Sequence, residues 1–197
     1  FMNDISHLKK KFRQYLSHQR LQLSLEDRAC FSQDIISHLQ QFLAASWGDK
    51  EPIQLLVYHA LPAEVDTSAL FKNQPYQVFV PRMLEDMGME WVKIDDTTIW
   101  NHQAFGVQEP VAGALWQKRD LKTILIAPLL GFDREGNRLG MGKGYFDRWL
   151  SKHAQDLDMQ LGLAFSCQEL PKVPTEQHDA PLATIITEHG VISCPTN

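Results

Sequence analysis

Apolar residues recur at two periods along this chain, and the switch between them outlines the fold. From Ile5 to Leu21 they return at spacings of three and four (Ile5, Leu8, Phe12, Leu16), with Lys9, Lys10, Lys11 and Arg13 interspersed. That spacing predicts an amphipathic helix with a basic face. Ser24-Leu-Glu-Asp27 reads as a capping box with Asp in place of Glu, opening a second helix to about Ala45. Trp47-Gly48-Asp49 supplies its stop. The period then shortens. Ile53–Ala60 and Thr123–Leu130 are continuous apolar runs of the kind found in buried strands, and Tyr76–Val80, Met89–Ile94 and Gln160–Phe165 are strand-like. Thr67 is placed to cap a short helix over Ser68–Asn73, and Tyr145–Lys152 reads as a helix. Ala183–Ile192 is strand-like but broken at Glu188-His-Gly190.

Strands alternating with helices predict an α/β fold with a largely parallel sheet. The expectation is a Rossmann-like mixed, mostly parallel sheet flanked by helices, in one domain over residues 2–197. Phe1, ahead of Met2, is set aside as a remnant. At 197 residues the chain is long for a small core and short for two domains. It shows no repeat or linker, and the Pro-rich piece Glu169–Pro181 is too short to separate domains.

Composition narrows the function. Hydrophobic content of 44% and charged content of 22% are ordinary for a globular protein. A net charge of −5 argues against a nucleic-acid partner, since phosphate-backbone binders carry a basic face. No run approaches the ~18 apolar residues of a membrane span, and no signal pattern follows Met2. Cys30, Cys167 and Cys194 are scattered and odd in number, which fits a reducing compartment and no metal cluster. A cytoplasmic location is expected. The five tryptophans are read as core or edge anchors.

Against that mildly acidic background one segment is basic and rich in glycine. Gly131, Gly136, Gly140, Gly142 and Gly144 lie between the apolar run ending at Leu130 and the helix beginning at Tyr145. Arg134, Arg138, Lys143 and Arg148 are interleaved with them. Glycines let backbone approach a ligand, and a helix N-terminus offers unpaired N–H groups and a positive dipole end. With cations added, the segment suits a phosphate chain; a purely structural glycine-rich turn is the alternative. A Walker A loop is absent, because Asn137 stands at its first glycine and Gly144 follows Lys143. The dinucleotide fingerprint fails too, since the spacing is Gly140-x-Gly142-x-Gly144.

The longer pattern, Leu-Gly-Phe-Asp-x-x-Gly-x-Arg-Leu-Gly-x-Gly-x-Gly-Tyr-Phe-Asp-Arg over Leu130–Arg148, resembles the signature of the 5-formyltetrahydrofolate cyclo-ligase family. The likeness extends over most of the chain. Lys9-x-x-x-Arg13 resembles the family's Lys/Arg pair on the first helix, and Ala63-Glu-Val-Asp-Thr67 its acidic segment after a strand. Phe79-Val-Pro-Arg82, Phe105-Gly-Val-Gln-Glu-Pro110 and Leu170-Pro…Gln177-His178-Asp179 resemble further family elements.

The resemblance implies an ATP- and Mg²⁺-dependent closure of 5-formyltetrahydrofolate, free or polyglutamylated, to 5,10-methenyltetrahydrofolate in a monomeric enzyme. It implies ATP contacts from Lys9, Arg13, Arg138, Leu139, Gly140, Met141, Gly142, Lys143, Gly144, Tyr145 and Phe146. Lys143 and Arg138 would be catalytic, neutralising the transferring phosphate. Folate contacts are implied for His59, Glu64, Phe105, Met141, Gly142, Lys143, Gly144 and Tyr145. Asp147 and Asp179 match the family's Mg²⁺ positions, and His178 is read as orienting its loop. Phe146 stands where a second Tyr is usual, which removes a hydroxyl. These residues have plainer readings: Lys143 as a solvated surface lysine, Lys9 and Arg13 on a solvated helix face, Asp147 capping or balancing a helix start, Glu64 capping a loop, His59 packing at a strand end. A folate- or nucleotide-binding regulator and a small-metabolite kinase remain as other functions.

Overall fold

The computed structural model describes residues 2–48, 52–72, 75–176, 179 and 181–195; the side chains of Met2, Asn3 and Phe105 fall outside that description. Two helices come first, α1 (Met2–Gln22) and α2 (Leu25–Trp47). Ser24 caps the second, its Oγ accepting the Asp27 N–H at 2.9 Å. Then follow β1 (Ile53–Val57), β2 (Tyr76–Met83) and β3 (Met89–Lys93). A small antiparallel ribbon, β4 (Trp100–His102) with β5 (Gln108–Pro110), precedes β6 (Lys122–Ala127). The chain continues through a second ribbon, β7 (Gly131–Phe132) with β8 (Arg138–Leu139), into α3 (Tyr145–His153). It ends with β9 (Met159–Leu163), β10 (Thr184–Thr187) and β11 (Gly190–Ser193).

Seven strands form the main sheet in the order β11-β10-β9-β6-β1-β2-β3. The five central strands are parallel, and β11 and β3 join antiparallel at the edges. This is the mostly parallel α/β sheet with flanking helices that the sequence pattern predicts. Strand periodicity divides the side chains between two layers. Leu55, Val57, Ile124, Ile126, Leu161 and Leu163 pack with Ile35, Ile36, Leu39 and Leu43 of α2. Leu56, Leu125 and Ile185 pack on the other face with Trp149 and Leu150 of α3. β1 is buried along its whole length, as expected for a central parallel strand.

Local features depart from expectation for physical reasons. β2 runs through Pro81 instead of stopping before it. Its pairing with β1 ends at Phe79, while Pro81 faces Trp91 of β3, so the missing N–H falls where no β1 partner remains. Thr67 precedes only a short 3₁₀ turn, Ser68–Leu70, and makes no cap; its hydroxyl donates instead to the Tyr58 carbonyl at 2.8 Å. Asn73, the expected end of that helix, lies outside the described residues.

The deepest departure is in α1. Leu8 is exposed, whereas Lys9 and Arg20 are buried beside Leu16. Lys9, Arg13, Leu16 and Arg20 are spaced by four, three and four, which places them on one helical face. This face packs on the loops beyond the sheet, where Leu16 meets Leu130, Leu139, Leu170 and Val173. A Cβ on Gly131 would sit 2.4 Å from the Leu16 side chain, so helix and loop backbone are in direct contact.

Candidate active site

The site grows from the connection between β6 and α3. After Leu130 the chain makes the β7–β8 ribbon, whose turn is organised by one buried carboxylate. Asp133 accepts the N–H groups of Glu135, Asn137 and Val173, each near 3 Å, and the Asn137 amide. Beyond β8 the backbone needs left-handed dihedrals at Gly142 (φ +95°) and Gly144 (φ +71°), which residues with a Cβ seldom adopt. Gly144 is the N-cap of α3 and brings no side-chain cap, leaving the helix's first N–H groups available to a ligand.

A cleft of about 530 Å³ opens at this helix start. Its walls include Lys9 and Arg13 from α1, Arg138, Leu139, Gly140, Gly142, Gly144 and Asp147 from the loop and α3, and Asp179 from near the C-terminus. Every one of these was expected from sequence. Arg148, Glu176, Ser6 and Ser151 also line it. Arg148 is one of the cations interleaved with the glycines and closes the long motif, whereas the signal for Glu176 is only its place three positions before Asp179.

The charges in the cleft are largely paired with each other. Lys9 Nζ donates to Glu176 Oε2 at 2.6 Å and to Asp179 Oδ2 at 2.8 Å. Burial by itself would lower the Lys9 pKa, but those hydrogen bonds and the two negative charges outweigh it and hold the ammonium above the ordinary lysine value. The solvated-face reading of Lys9 therefore fails. Arg138 pairs with Asp147 through Nη2, its side chain well covered while the carboxylate is half exposed. Arg13 Nε donates to the Gly140 carbonyl at 2.8 Å. A Cβ on Gly142 would come within 3.1 Å of the Arg13 guanidinium, so the glycine permits the arginine to lie flat on the loop. Arg148 ties the loop to the β2–β3 turn, donating to the Lys143 carbonyl at 2.9 Å and the Met87 carbonyl at 3.2 Å. Met87 itself has φ +65°, uncommon for a residue with a Cβ.

The remaining expected residues lie around this centre. Lys143 and Met141 are exposed on the loop, adjacent to glycines that line the cleft. Tyr145 is half-buried, with its hydroxyl on the Met87 sulfur at 3.5 Å and the Arg148 guanidinium over its ring. Phe146 turns inward and packs edge-on against Trp91, so any ligand contact from it is through backbone.

Glu64 and His59 belong to a separate group at the carboxyl end of β1. Glu64 Oε2 accepts the Leu61 N–H at 2.9 Å, closing its own turn. Burial pushes its carboxyl pKa up, against that hydrogen bond and the nearby charge of Arg20. The His59 ring lies 5.0 Å from Trp100 and 5.5 Å from Phe71, and burial lowers its pKa. The Phe105 side chain and all of Gln177 and His178 lie outside the described residues.

Asp147 and Asp179 offer hard oxygen ligands on two sides of one cleft, which suits Mg²⁺ shared with phosphate oxygens. Among the described residues no three acids, histidines or cysteines converge as a complete cage.

Three comparisons bear on this geometry. Residues 5–188 match the model of the 5-formyltetrahydrofolate cyclo-ligase family. The chain is 33% identical over 141 residues to the 5-formyltetrahydrofolate cyclo-ligase of Haemophilus influenzae, covering 67% of this chain and 74% of that protein. The mouse protein of the same name is 26% identical, over 94% of this chain and 92% of its own length. The solution structure of Aquifex aeolicus 5,10-methenyltetrahydrofolate synthetase superposes with a TM-score of 0.79 at 28% identity, covering 96% of this chain and 94% of that one. A Mycoplasma pneumoniae synthetase structure shares the fold at a TM-score of 0.69 and 21% identity.

Proposed function

The chain belongs to the 5-formyltetrahydrofolate cyclo-ligase family, and on that premise we propose that it closes 5-formyltetrahydrofolate to 5,10-methenyltetrahydrofolate in the cytoplasm, converting ATP to ADP and phosphate. The observation that carries this reading is the cleft itself. Lys9, Arg13, Arg138 and Asp179 come from three distant parts of the chain to one helix N-terminus. All of this sits on a single domain, acting as a monomer on free or polyglutamylated folate.

The chemistry explains why the cleft holds cations and backbone donors and needs no nucleophile. A formamide oxygen leaves poorly, because nitrogen deactivates its carbonyl. Moving the γ-phosphoryl group onto that oxygen makes the formyl carbon an electrophile and leaves ADP. The secondary aryl amine of the same molecule then attacks that carbon, and phosphate departs with the former formyl oxygen. Phosphoryl transfer asks the protein mainly for electrostatics and in-line placement. Arg13, Arg138 and the N–H groups of Gly142, Gly144 and Tyr145 hold the phosphate chain, and Lys143 reaches in from the rim to the transferring group. Asp147 and Asp179 would hold Mg²⁺, whose chemistry there would be neutralisation of phosphate charge. Lys9 orients Asp179. The cyclisation is intramolecular, so placing amine and formyl carbon together can contribute on the order of 7–11 kcal/mol. That placement falls to Glu64, which accepts pterin N–H groups, with His59, Phe105, Tyr145 and Met141 around the rings.

The test is to mix the protein with 5-formyltetrahydrofolate and Mg-ATP and follow near-ultraviolet absorbance, where the methenyl product absorbs and the substrate does not. Product formation with stoichiometric ADP is expected. Folate binding without turnover would instead favour a regulator, and a stable phosphorylated product a kinase.

A further inference from the structure

Arg20, on the last turn of α1, is 5% exposed, yet its Nε has no hydrogen-bond partner. No carboxylate among the described residues reaches it at ion-pair distance. A buried guanidinium N–H left without an acceptor carries an uncompensated desolvation penalty. Burial lowers its pKa, opposed by Glu64 and Tyr58 acting from a distance, while Arg28 adds a like charge. The neighbourhood repeats the pattern. Arg28 Nε and His59 Nδ1 are also buried without partners, and Arg28 Nη1 donates to the Pro62 carbonyl at 3.0 Å. Arg28 and His59 thus leave unpartnered polar atoms at the loop that follows β1, and Arg20 lies within electrostatic reach of Glu64 in the same loop. In open α/β sheets, ligands bind in the crevice beyond the carboxyl ends of the strands.

We propose that Arg20 is a substrate-binding residue, donating to the ring carbonyl of the pterin while Glu64 accepts from the ring N–H and amino groups. The assignment follows from complementarity. Glu64 spends Oε2 on the Leu61 N–H, leaving Oε1 for an incoming donor. Arg20 and Glu64 interact electrostatically without pairing directly, so the guanidinium leaves a donor, and Oε1 an acceptor, for a ligand lying between them. A lactam edge, carbonyl beside N–H, is the neutral group that pairs with both. An anionic ligand group would meet Arg20 well but would face the Glu64 charge. The inference rests on folate being the substrate and adds to that reading the group that selects the oxo face of the ring.

The experiment compares wild type, Arg20→Met and Arg20→Lys. Three ligands are used: 5-formyltetrahydrofolate, the tail-less 5-formyl-2-amino-4-oxo-tetrahydropterin, and the 4-deoxo analogue of that pterin. Arg20→Met should raise KM for the folate about 10- to 100-fold, as expected for losing a hydrogen bond from a charged group. KM for ATP should be unchanged, and Tm should be equal or higher, because an unpaired buried charge has been removed. The same fold-loss should appear in the Kd of the tail-less pterin, which lacks the attacking amine and binds without cyclising, and the wild-type preference in Kd for oxo over deoxo ligand should shrink in Arg20→Met. Arg20→Lys should recover part of it. Unchanged folate KM in a folded Arg20→Met would overturn the assignment, as would an equal oxo preference in both proteins. A loss seen only with the tailed folate would reassign Arg20 to the tail carboxylate and overturn it as well. Wild-type protein that neither binds nor turns over folate would sink the cyclo-ligase reading along with it, an outcome distinct from an active wild type with an indifferent Arg20.

Discussion

α1 and α2 are nearly equal in length, 21 and 23 residues, and follow each other in the chain, yet they bury different chemistry. α2 presents Ile35, Ile36, Leu39 and Leu43 to the sheet, all 5% exposed or less. α1 presents Lys9, Arg13 and Arg20 around a single fully buried leucine, Leu16, and packs on loops. One helix gains its place by removing apolar surface from water. The other is held by hydrogen bonds and ion pairs to the segments that form the cleft. Stability and function are therefore concentrated in different helices.

The sharpest way to break that division is Leu39→Ala. Truncating a fully buried leucine should cost about 2–5 kcal/mol, read as a lower denaturation midpoint, while the folded fraction keeps its KM values. A comparable loss of affinity for ATP at a site in α2 would contradict the separation. Next in size is Lys143→Ala on the glycine loop. Because Lys143 is exposed, Tm should stay within a degree or so, but kcat should fall roughly 10²- to 10³-fold, the scale for removing one preorganised electrostatic contact. Near-normal turnover would remove Lys143 from the reaction. Arg13→Ala should raise KM for Mg-ATP by about tenfold or more with folate KM unaffected; stability assays should register far less than for Leu39→Ala.

Two pH experiments sharpen the contrast further. Lys9 is held above its ordinary value of 10.5 by its two carboxylate partners despite burial. A raised pKa means that its stabilisation is whole below 10.5 and is lost as pH climbs through the higher folded value. Wild type should thus be more stable than Lys9→Met at neutral pH, with the gap closing in alkali. Glu64 is an acid with a raised pKa, so its neutral form is favoured by folding and its ionisation costs stability above 4.5. Glu64→Gln should be slightly the more stable at neutral pH, and the difference should vanish in acid. This is the smallest of the effects; a gap that widened in acid would reverse the sign.

The same contrast shows what the sequence makes legible. α2 is legible from its ends, the Ser24 cap and the stop at Gly48, and the long apolar strands declare themselves because both their faces are buried. In α1 the spacing predicts a helix but the wrong inward side: Leu8 is exposed and Lys9 is buried, because the partner surface is a set of carboxylates. Pattern rules that place charges outside carry no information about Glu176 and Asp179, some 170 positions away. The β7–β8 ribbon is two residues on each side, too short for any period to register. Glycine spacing pointed to the phosphate-type cleft, and the long motif supplied its remote members Lys9, Arg13 and Asp179. Arg20 carried no motif at all, and only its unsatisfied burial singles it out.

The pairing inside the cleft has a thermodynamic corollary. Lys9, Arg13, Arg138 and Arg148 face Asp147, Glu176 and Asp179, so the walls carry four positive charges against three negative ones. An anion that recruits Lys9 and Arg138 must release carboxylates that were neutralised by them. Free nucleotide would thereby trade one set of ion pairs for another and leave uncompensated negative charge behind. The chelated nucleotide arrives with a divalent ion for those same carboxylates. On the proposed function, metal and nucleotide would be heterotropic partners, each tightening the other's binding by the same factor, through counterions the protein keeps in place when the cleft has no guest.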